Sequence, residues 1–158
     1  RHLDTDGALE ELSAGDLQWL KDVWLPGAEL MHSSSQFNDA FQALDSAGAL
    51  PNRAVALLAA WGALEHLFSP SKQELRFRVS ANLASYLEPP GPSRLLLHKQ
   101  IMSLYDARSS VAHGTRLSAT DAWAATQSLG RRVLLRILGD RRVPSKADLE
   151  AALFTPGI

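Results

Sequence analysis

The fold this sequence predicts is an all-α bundle of about six or seven helices, and three observations predict it. Every periodic apolar segment repeats at spacings of three and four residues, the period of a helix with one buried stripe. β-branched residues are sparse, and no stretch alternates apolar and polar residues as a half-buried strand does. Pro26-Gly27, Ser69-Pro70-Ser71 and Pro89-Pro90-Gly91-Pro92 punctuate the chain, so the connections are short, as in a bundle. The 158 residues, 46% of them hydrophobic, suffice for one domain with a sizeable core. There is no internal repeat, low-complexity tract or domain boundary, so 1–158 is read as a single helical domain. A start at Arg1 instead of Met reads as a piece of a longer protein.

Residues 1–12 are acidic and weakly patterned. Ser13 and Asp16 form a capping box with Asp in place of Glu. They open a first helix with Leu17, Leu20, Val23 and Trp24 inward, stopped by Pro26-Gly27. A looser stretch, Glu29 to Ser35, leads to a second helix with Phe37, Phe41 and Leu44 on one side, closed by Gly48. Pro51 and Asn52 start a third helix through about Phe68. Its Val55, Leu57, Leu58, Ala59, Trp61, Leu64, Leu67 and Phe68 cover most of the circumference, which places it centrally. A fourth helix runs from about Lys72 to Leu87 with Leu75, Val79, Leu83 and Tyr86 inward. A fifth starts near Ser93, with Leu97, Ile101, Leu104 and Tyr105 as its core face, and Gly114 suits the left-handed position that closes it. Ser118 or Thr120 caps a sixth, carrying Trp123, Leu129, Val133, Leu134, Ile137 and Leu138 as far as Gly139-Asp140. A short last helix spans Lys146 to Phe154. All four tryptophans, Trp19, Trp24, Trp61 and Trp123, lie on apolar stripes and are expected in the core.

The formal charge of −1 predicts no bulk attraction to polyanions. Its distribution is uneven. Residues 1–71 carry three Lys/Arg against ten Asp/Glu, and residues 72–142 carry twelve against five. This is a hint of a basic face on the second half; the alternative is mutual neutralisation of the two halves. The absence of cysteine removes disulfides, thiolate catalysis and Cys-based metal sites. It fits a reducing compartment, and a cytoplasmic location is the expectation. No apolar run reaches the length of a membrane span, so no membrane partner is expected. His66 beside Glu65 and His98 beside Lys99 lack further ligands at helical spacing, so no metal site is expected. There is no glycine-rich phosphate loop and no nucleophile elbow.

One stretch combines a fixed cation with a titratable proton carrier: Arg108 and His113, five positions apart near the end of the fifth helix. Five residues turn a helix by roughly 500°, about 140° away from a shared face. The two side chains converge if the helix ends at His113 and the chain bends at Gly114, or they meet a second copy of the motif across a dimer axis. Arginine offers a planar fork for a phosphodiester, and histidine a proton acceptor or donor near neutral pH. Together they suit RNA transesterification without a metal. The structural alternative pairs Arg108 with Asp106 or Glu65 and leaves His113 as a helix cap. Arg76, Arg78, Arg131 and Arg132 are candidate contacts to RNA phosphates, or otherwise a solvated face.

The run Tyr105-Asp106-Ala107-Arg108-Ser109-Ser110-Val111-Ala112-His113-Gly114 resembles the YxxRSxxxHG signature of HEPN domains, in particular of the Apea-like HEPN family. Trp61-Gly62-Ala63-Leu64-Glu65-His66-Leu67-Phe68 is similar to that family's acidic helix, and Leu75-Arg76-Phe77-Arg78-Val79 to the helix that follows it. The likeness covers about 50–140. It implies an up-and-down helical core, a homodimer that sets two such motifs in a shared cleft, and metal-independent endoribonuclease activity without a cofactor. Toxin–antitoxin, antiphage defence or RNA-processing systems are the implied setting, with RNA as substrate and an antitoxin or regulatory domain as a further partner; the Ala/Leu/Arg-rich usage separately suggests a prokaryotic source. Carried over by position, Arg108 and His113 match the catalytic pair, Ser109 a supporting polar position and Glu65 the acidic one. Glu65 would orient Arg108 or His113, or else form an ion pair with Arg78 or Arg108. The second hypothesis is a non-catalytic dimerisation or sensing module, and the third a nucleotide-binding regulatory domain.

Overall fold

The structure, a computed structural model, describes residues 13–69, 74–112 and 119–154. Among them are seven α-helices and no strand: α1 (Ala14–Ser33), α2 (Ser35–Ala49), α3 (Arg53–Phe68), α4 (Leu75–Leu87), α5 (Pro92–Ala112), α6 (Ala119–Asp140) and α7 (Lys146–Phe154). This is the all-α bundle of about seven helices that the periodicity predicts. None of these helices is long and apolar enough to cross a membrane. The acidic stretch 1–12, Lys72, His113, Gly114 and Ser118 lie outside the described residues.

α3 is the axis. Ala56, Leu57, Ala60, Trp61, Ala63, Leu64, Leu67 and Phe68 are all buried, so the helix is covered on nearly every side. Helices α2, α4, α5 and α6 all pack against it. Of the predicted inward residues only Val55 stands clear, at 48% exposure near its first turn. Asn52 caps the start, its Oδ1 accepting from Ala54 N at 2.9 Å. Asn82, buried on α4, donates to the Phe68 carbonyl at 2.8 Å and satisfies an end of α3 that would otherwise lack a partner. Around that axis α4 buries Val79 and Leu83, α5 buries Ile101 and Tyr105, and α6 buries Trp123, Leu129, Val133 and Ile137.

Local signals set most helix ends. Ser13 and Asp16 make the capping box, with Asp16 N donating to Ser13 Oγ at 3.1 Å and Ser13 N to Asp16 Oδ2 at 2.9 Å. Ser145 and Asp148 repeat the arrangement at α7. α5 begins on Pro92, where a missing N–H costs nothing.

Four expectations are corrected. The first helix does not stop at Pro26-Gly27 but runs to Ser33, and no looser stretch follows Glu29. Pro26 is buried, and a Cβ at Gly27 would lie 3.4 Å from Leu138 Cδ2. The pair that reads as a stop is the place where α1 lies against α6, and this packing offsets the backbone hydrogen bond that proline removes. Second, the N-terminal stripe of α1 is not core: Leu17, Leu20, Trp19 and Trp24 are 46%, 46%, 57% and 67% exposed. Among the described residues α1 packs mainly on α2 and α6, as an outer layer, and buries Pro26 and Leu30 instead. Trp61 and Trp123 are buried as expected. Third, α4 starts at Leu75, because Glu74 has a left-handed φ of 54°. Fourth, α6 begins at Ala119, so of the two caps offered for it Thr120 is excluded, while Ser118 lies outside the described residues.

Candidate functional site

The candidate site lies on the seam between α3 and α5. α3 supplies Trp61 and Glu65, four residues apart and so one turn apart on a shared face. α5 supplies Tyr105 and Arg108, three apart. Arg108 continues the inward stripe of Leu97, Ile101 and Leu104 one turn further toward the C-terminal end of the described helix. Helical register thus turns a cation into the bundle at a position where the preceding turns place apolar residues.

Arg108 Nη2 lies 3.2 Å from Glu65 Oε1, and the side chains are only 27% and 19% exposed. Of the alternatives for these two residues, the structure realises this pair; Asp106 goes to Arg76 and Arg78 to Glu74. The guanidinium also sits over the Tyr105 ring, 5.4 Å from its centroid, and Trp61 meets that tyrosine edge-on at 5.1 Å. Burial pushes the Tyr105 hydroxyl pKa up, and the neighbouring Glu65 carboxylate adds to this while Arg108 opposes it. Tyr105 therefore stays neutral and a hydrogen-bond donor throughout the physiological range.

The cluster is under-satisfied. Arg108 Nε and Trp61 Nε1 are buried side-chain atoms with no hydrogen-bond partner, and the buried Glu65 Oε1 meets Arg108 Nη2 as an ion pair without hydrogen-bond geometry. Buried polar groups are normally paired, and an unpaired one costs about 1–3 kcal/mol. The Arg108 Nε is enclosed by the protein, but the side chain as a whole is 27% exposed, and the fork geometry of a guanidinium matches the oxygens of a phosphodiester or carboxylate. Ser109 is half-buried and makes no hydrogen bond among the described residues, whereas Ser110 Oγ donates to the Asp106 carbonyl at 2.9 Å. His113, the predicted proton carrier, lies outside the described residues.

The candidate phosphate-binding arginines are dispersed. Arg76 is bound on two sides by Asp106, Nε to Oδ1 and Nη2 to Oδ2, both at 2.6 Å. Arg78 Nε is 3.7 Å from Glu74, and Arg132 is held by Glu88. Arg131 is exposed and makes no ion pair among the described residues. Most of the basic excess of the second half is thus neutralised by neighbouring carboxylates, including Arg136 by Asp140 and Arg142 by Asp148. Arg132 does border a cleft of about 510 Å³ between α5 and α6, with Gln100, Ser103 and Ser128 on its walls and Leu97, Ile101 and Leu104 at its base. This cleft runs beside the stripe that ends in Arg108.

In the sequence, Tyr105 opens the signature run without a role of its own, and His98, outside the Arg108 cluster, is set aside as a ligand. Tyr105 reads there as an ordinary core residue, yet it is the surface on which Arg108 rests; its place three residues before Arg108 is the signal that marks it. His98, dismissed as a ligand, packs edge-on against Phe77 at 5.4 Å with its Nε2 buried and unpartnered. Burial, with help from Arg76, lowers its pKa, so the neutral form is favoured. Among the described residues no group of three or more His, Asp or Glu is gathered as metal ligands would be.

No protein-family model, curated protein or solved structure matches the chain. The HEPN likeness rests on its three residue blocks alone.

Proposed function

We propose that this chain is a HEPN-type, metal-independent endoribonuclease that acts as a homodimer, with Arg108 and His113 as its catalytic pair. The observation that carries the reading is the state of Arg108. It is a half-buried arginine at the α3–α5 seam, held on one side by Glu65 and Tyr105, with a buried Nε that no protein atom uses. A cation needed only for structure would be expected to have its donors filled.

In the proposed reaction the 2′-oxygen of a ribose attacks the adjacent phosphorus. A P–O2′ bond forms as the P–O5′ bond breaks, giving a 2′,3′-cyclic phosphate and a free 5′-hydroxyl. His113 takes the 2′ proton or delivers one to the leaving 5′-oxygen, and water or a second histidine serves at the other end. Arg108 stabilises the charge that builds on the equatorial phosphate oxygens, a role worth about 10²–10³ in rate for a well-placed donor. Glu65 holds the guanidinium, and Ser109 stands one residue away with its hydroxyl uncommitted. The cleft between α5 and α6 would receive the single-stranded or loop RNA, with Arg132 at its edge.

Incubation of the purified chain with single-stranded RNA in excess EDTA tests this. Cleavage that leaves cyclic phosphate ends, and that Arg108→Ala and His113→Ala both abolish, is the expected result. No cleavage by the wild-type chain, or equal cleavage by the variants, refutes it. One observation favours the non-catalytic dimerisation or sensing module instead: α1 leaves a wide apolar face uncovered, as an interaction domain would.

A further inference from the structure

The hollows of this surface differ in whether their polar groups are already committed. In the one between α4, α6 and α7, Tyr86 donates to Asp140 at 2.8 Å, Arg136 pairs with Asp140 and Arg142 with Asp148. At the end of α3, Gln36 donates to the His66 carbonyl and Lys146 pairs with Glu150. The groove between α1 and α6 has almost no polar wall. The hollow between α2 and α6 presents the exposed carboxylate of Asp45, which repels a phosphate chain. The cleft of about 510 Å³ between α5 and α6 is unlike these. Gln100 and Ser103 on its α5 wall and Ser128 on its α6 wall make no hydrogen bond among the described residues, and no acid lines it. The buried side chains of Ile101 and Leu129 line it as well. Arg132 at its edge is held by Glu88, so its lining residues carry no unpaired charge.

Apolar walls with neutral donors and acceptors on two sides suit a flat, uncharged ring that makes hydrogen bonds at its edge. An anion would need a free cation, and the cleft has none. We propose that this cleft holds one unstacked nucleobase of the bound RNA, with Gln100 as the residue that reads its edge. A side-chain amide offers a donor and an acceptor side by side, and the edge of a base presents the same two functions side by side. Single-stranded RNA is recognised in this way, by bases turned out of the stack and bonded at their edges. The register of α5 fits the rest of the nucleotide. Arg108 follows Leu104, another lining residue, by four positions, which is roughly 6 Å along the helix and about 40° around it. One ribose spans such a step, so the base in the cleft belongs to the nucleotide whose phosphate lies at Arg108.

The inference rests on the ribonuclease reading for the nature of the ligand, and it adds a division of labour. Arg108 meets a phosphate whatever the sequence, while the α5–α6 cleft selects the base beside it.

Fluorescence anisotropy of labelled single strands at several salt concentrations tests it, with circular dichroism as the check on folding. The strands are oligo-A, oligo-C and oligo-U with fluorine in place of every 2′-hydroxyl, which cannot undergo transesterification, and a matching backbone without bases. The wild-type chain is expected to bind its preferred strand about 10-fold or more above the abasic one, and to rank the three bases over about fivefold or more. Gln100→Ala, at an exposed position, should compress that ranking to within about twofold and leave the salt dependence unchanged, because no phosphate contact is lost. Ser128→Leu should fill the cleft and weaken binding by about 10-fold. Arg108→Ala should keep the ranking and lower the slope of log affinity against log salt by about one. Gln127→Ala, exposed on α6 outside this cleft, should match the wild type. A wild-type chain that binds no strand, or the abasic strand as tightly as the others, overturns the proposal. So does a folded Gln100→Ala that keeps the ranking. Cleavage of unmodified RNA, measured in parallel, separates the two readings. A chain that ranks the bases but cuts no RNA loses the ribonuclease and keeps the cleft. One that cuts RNA yet binds every base alike keeps the ribonuclease and loses the cleft.

Discussion

Arg76–Asp106 and Arg108–Glu65 both fasten α5 to a neighbouring helix, α4 in the first case and α3 in the second. The first is exposed, its side chains 48% and 52% accessible, and it is saturated: two short parallel hydrogen bonds join fork to carboxylate. The second is less accessible, at 27% and 19%, makes one longer contact between Nη2 and Oε1, and leaves Nε without a hydrogen bond. Ideal geometry is easy at the surface, where both side chains move freely and water covers what remains. Such a pair adds little to stability because water competes for both charges. In the seam the helix backbones and Trp61 fix where the groups can go, and the contact that results is imperfect. The better-formed ion pair is therefore the less informative one. Function is read from the incompletely satisfied pair, where a cation is held in a partly dry place.

The largest expected effect falls on Arg108. Arg108→Ala should lower RNA cleavage by about 10²-fold or more, measured with a labelled oligonucleotide. Arg108→Lys should recover little of it, because the ammonium lacks the planar fork. If lysine restores full activity, the donor geometry of the seam is irrelevant and the contrast with Arg76 disappears.

Glu65 comes next. Glu65→Ala should destabilise the fold by about 1–3 kcal/mol in urea unfolding, since Arg108 is left half-buried without its carboxylate. Glu65→Gln should cost less and should lower cleavage more than it lowers stability, because the amide keeps the packing but not the charge. A Glu65→Ala protein as stable as the wild type would show that the seam pair is energetically idle.

A smaller effect concerns pH. The His98 pKa lies below its ordinary value when folded, so the unfolded chain binds more protons as the pH drops. The contribution of this group is complete above its unfolded pKa of about 6.5 and is lost as pH falls below it. The urea midpoint should therefore decline between pH 7 and pH 5, and His98→Phe should flatten that part of the decline. An identical slope in the variant would remove His98 from the account.

The smallest effect belongs to the surface pair. Asp106→Ala should leave the urea midpoint within error of the wild type and cleavage within about twofold. An Asp106→Ala loss as large as that of Glu65→Ala would break the comparison outright.

How far the sequence can be read depends on how local each cause is. The Ser13–Asp16 box, the Asn52 cap and the all-round apolar pattern of α3 each depend on a few neighbouring residues, and each is found where the pattern put it. Pro26-Gly27 is a local stop signal that the bundle overrides, because contact with α6 is made at those two residues. The stripe from Leu17 to Trp24 is a valid amphipathic signal with no third layer among the described residues to receive it. Periodicity reports which face is apolar, and it is silent on what covers that face.

The same division runs through the candidate site. Residue spacing by itself determined that the chain is helical and that α3 is central, and it set Arg108 one turn past the core face of the fifth helix. Two partners remained open for Arg108 and two for Glu65, because side-chain reach on a helix allows several ion pairs of equal sequence logic. Only the tertiary structure decided that Arg108 takes Glu65, that Asp106 is taken up by Arg76, and that Tyr105 lies beneath the guanidinium. The two ion pairs join residues 30 or more positions apart and are chosen by how the helices cross, whereas Tyr105 and Arg108 are neighbours one turn apart on α5. No property of either residue alone encodes that crossing.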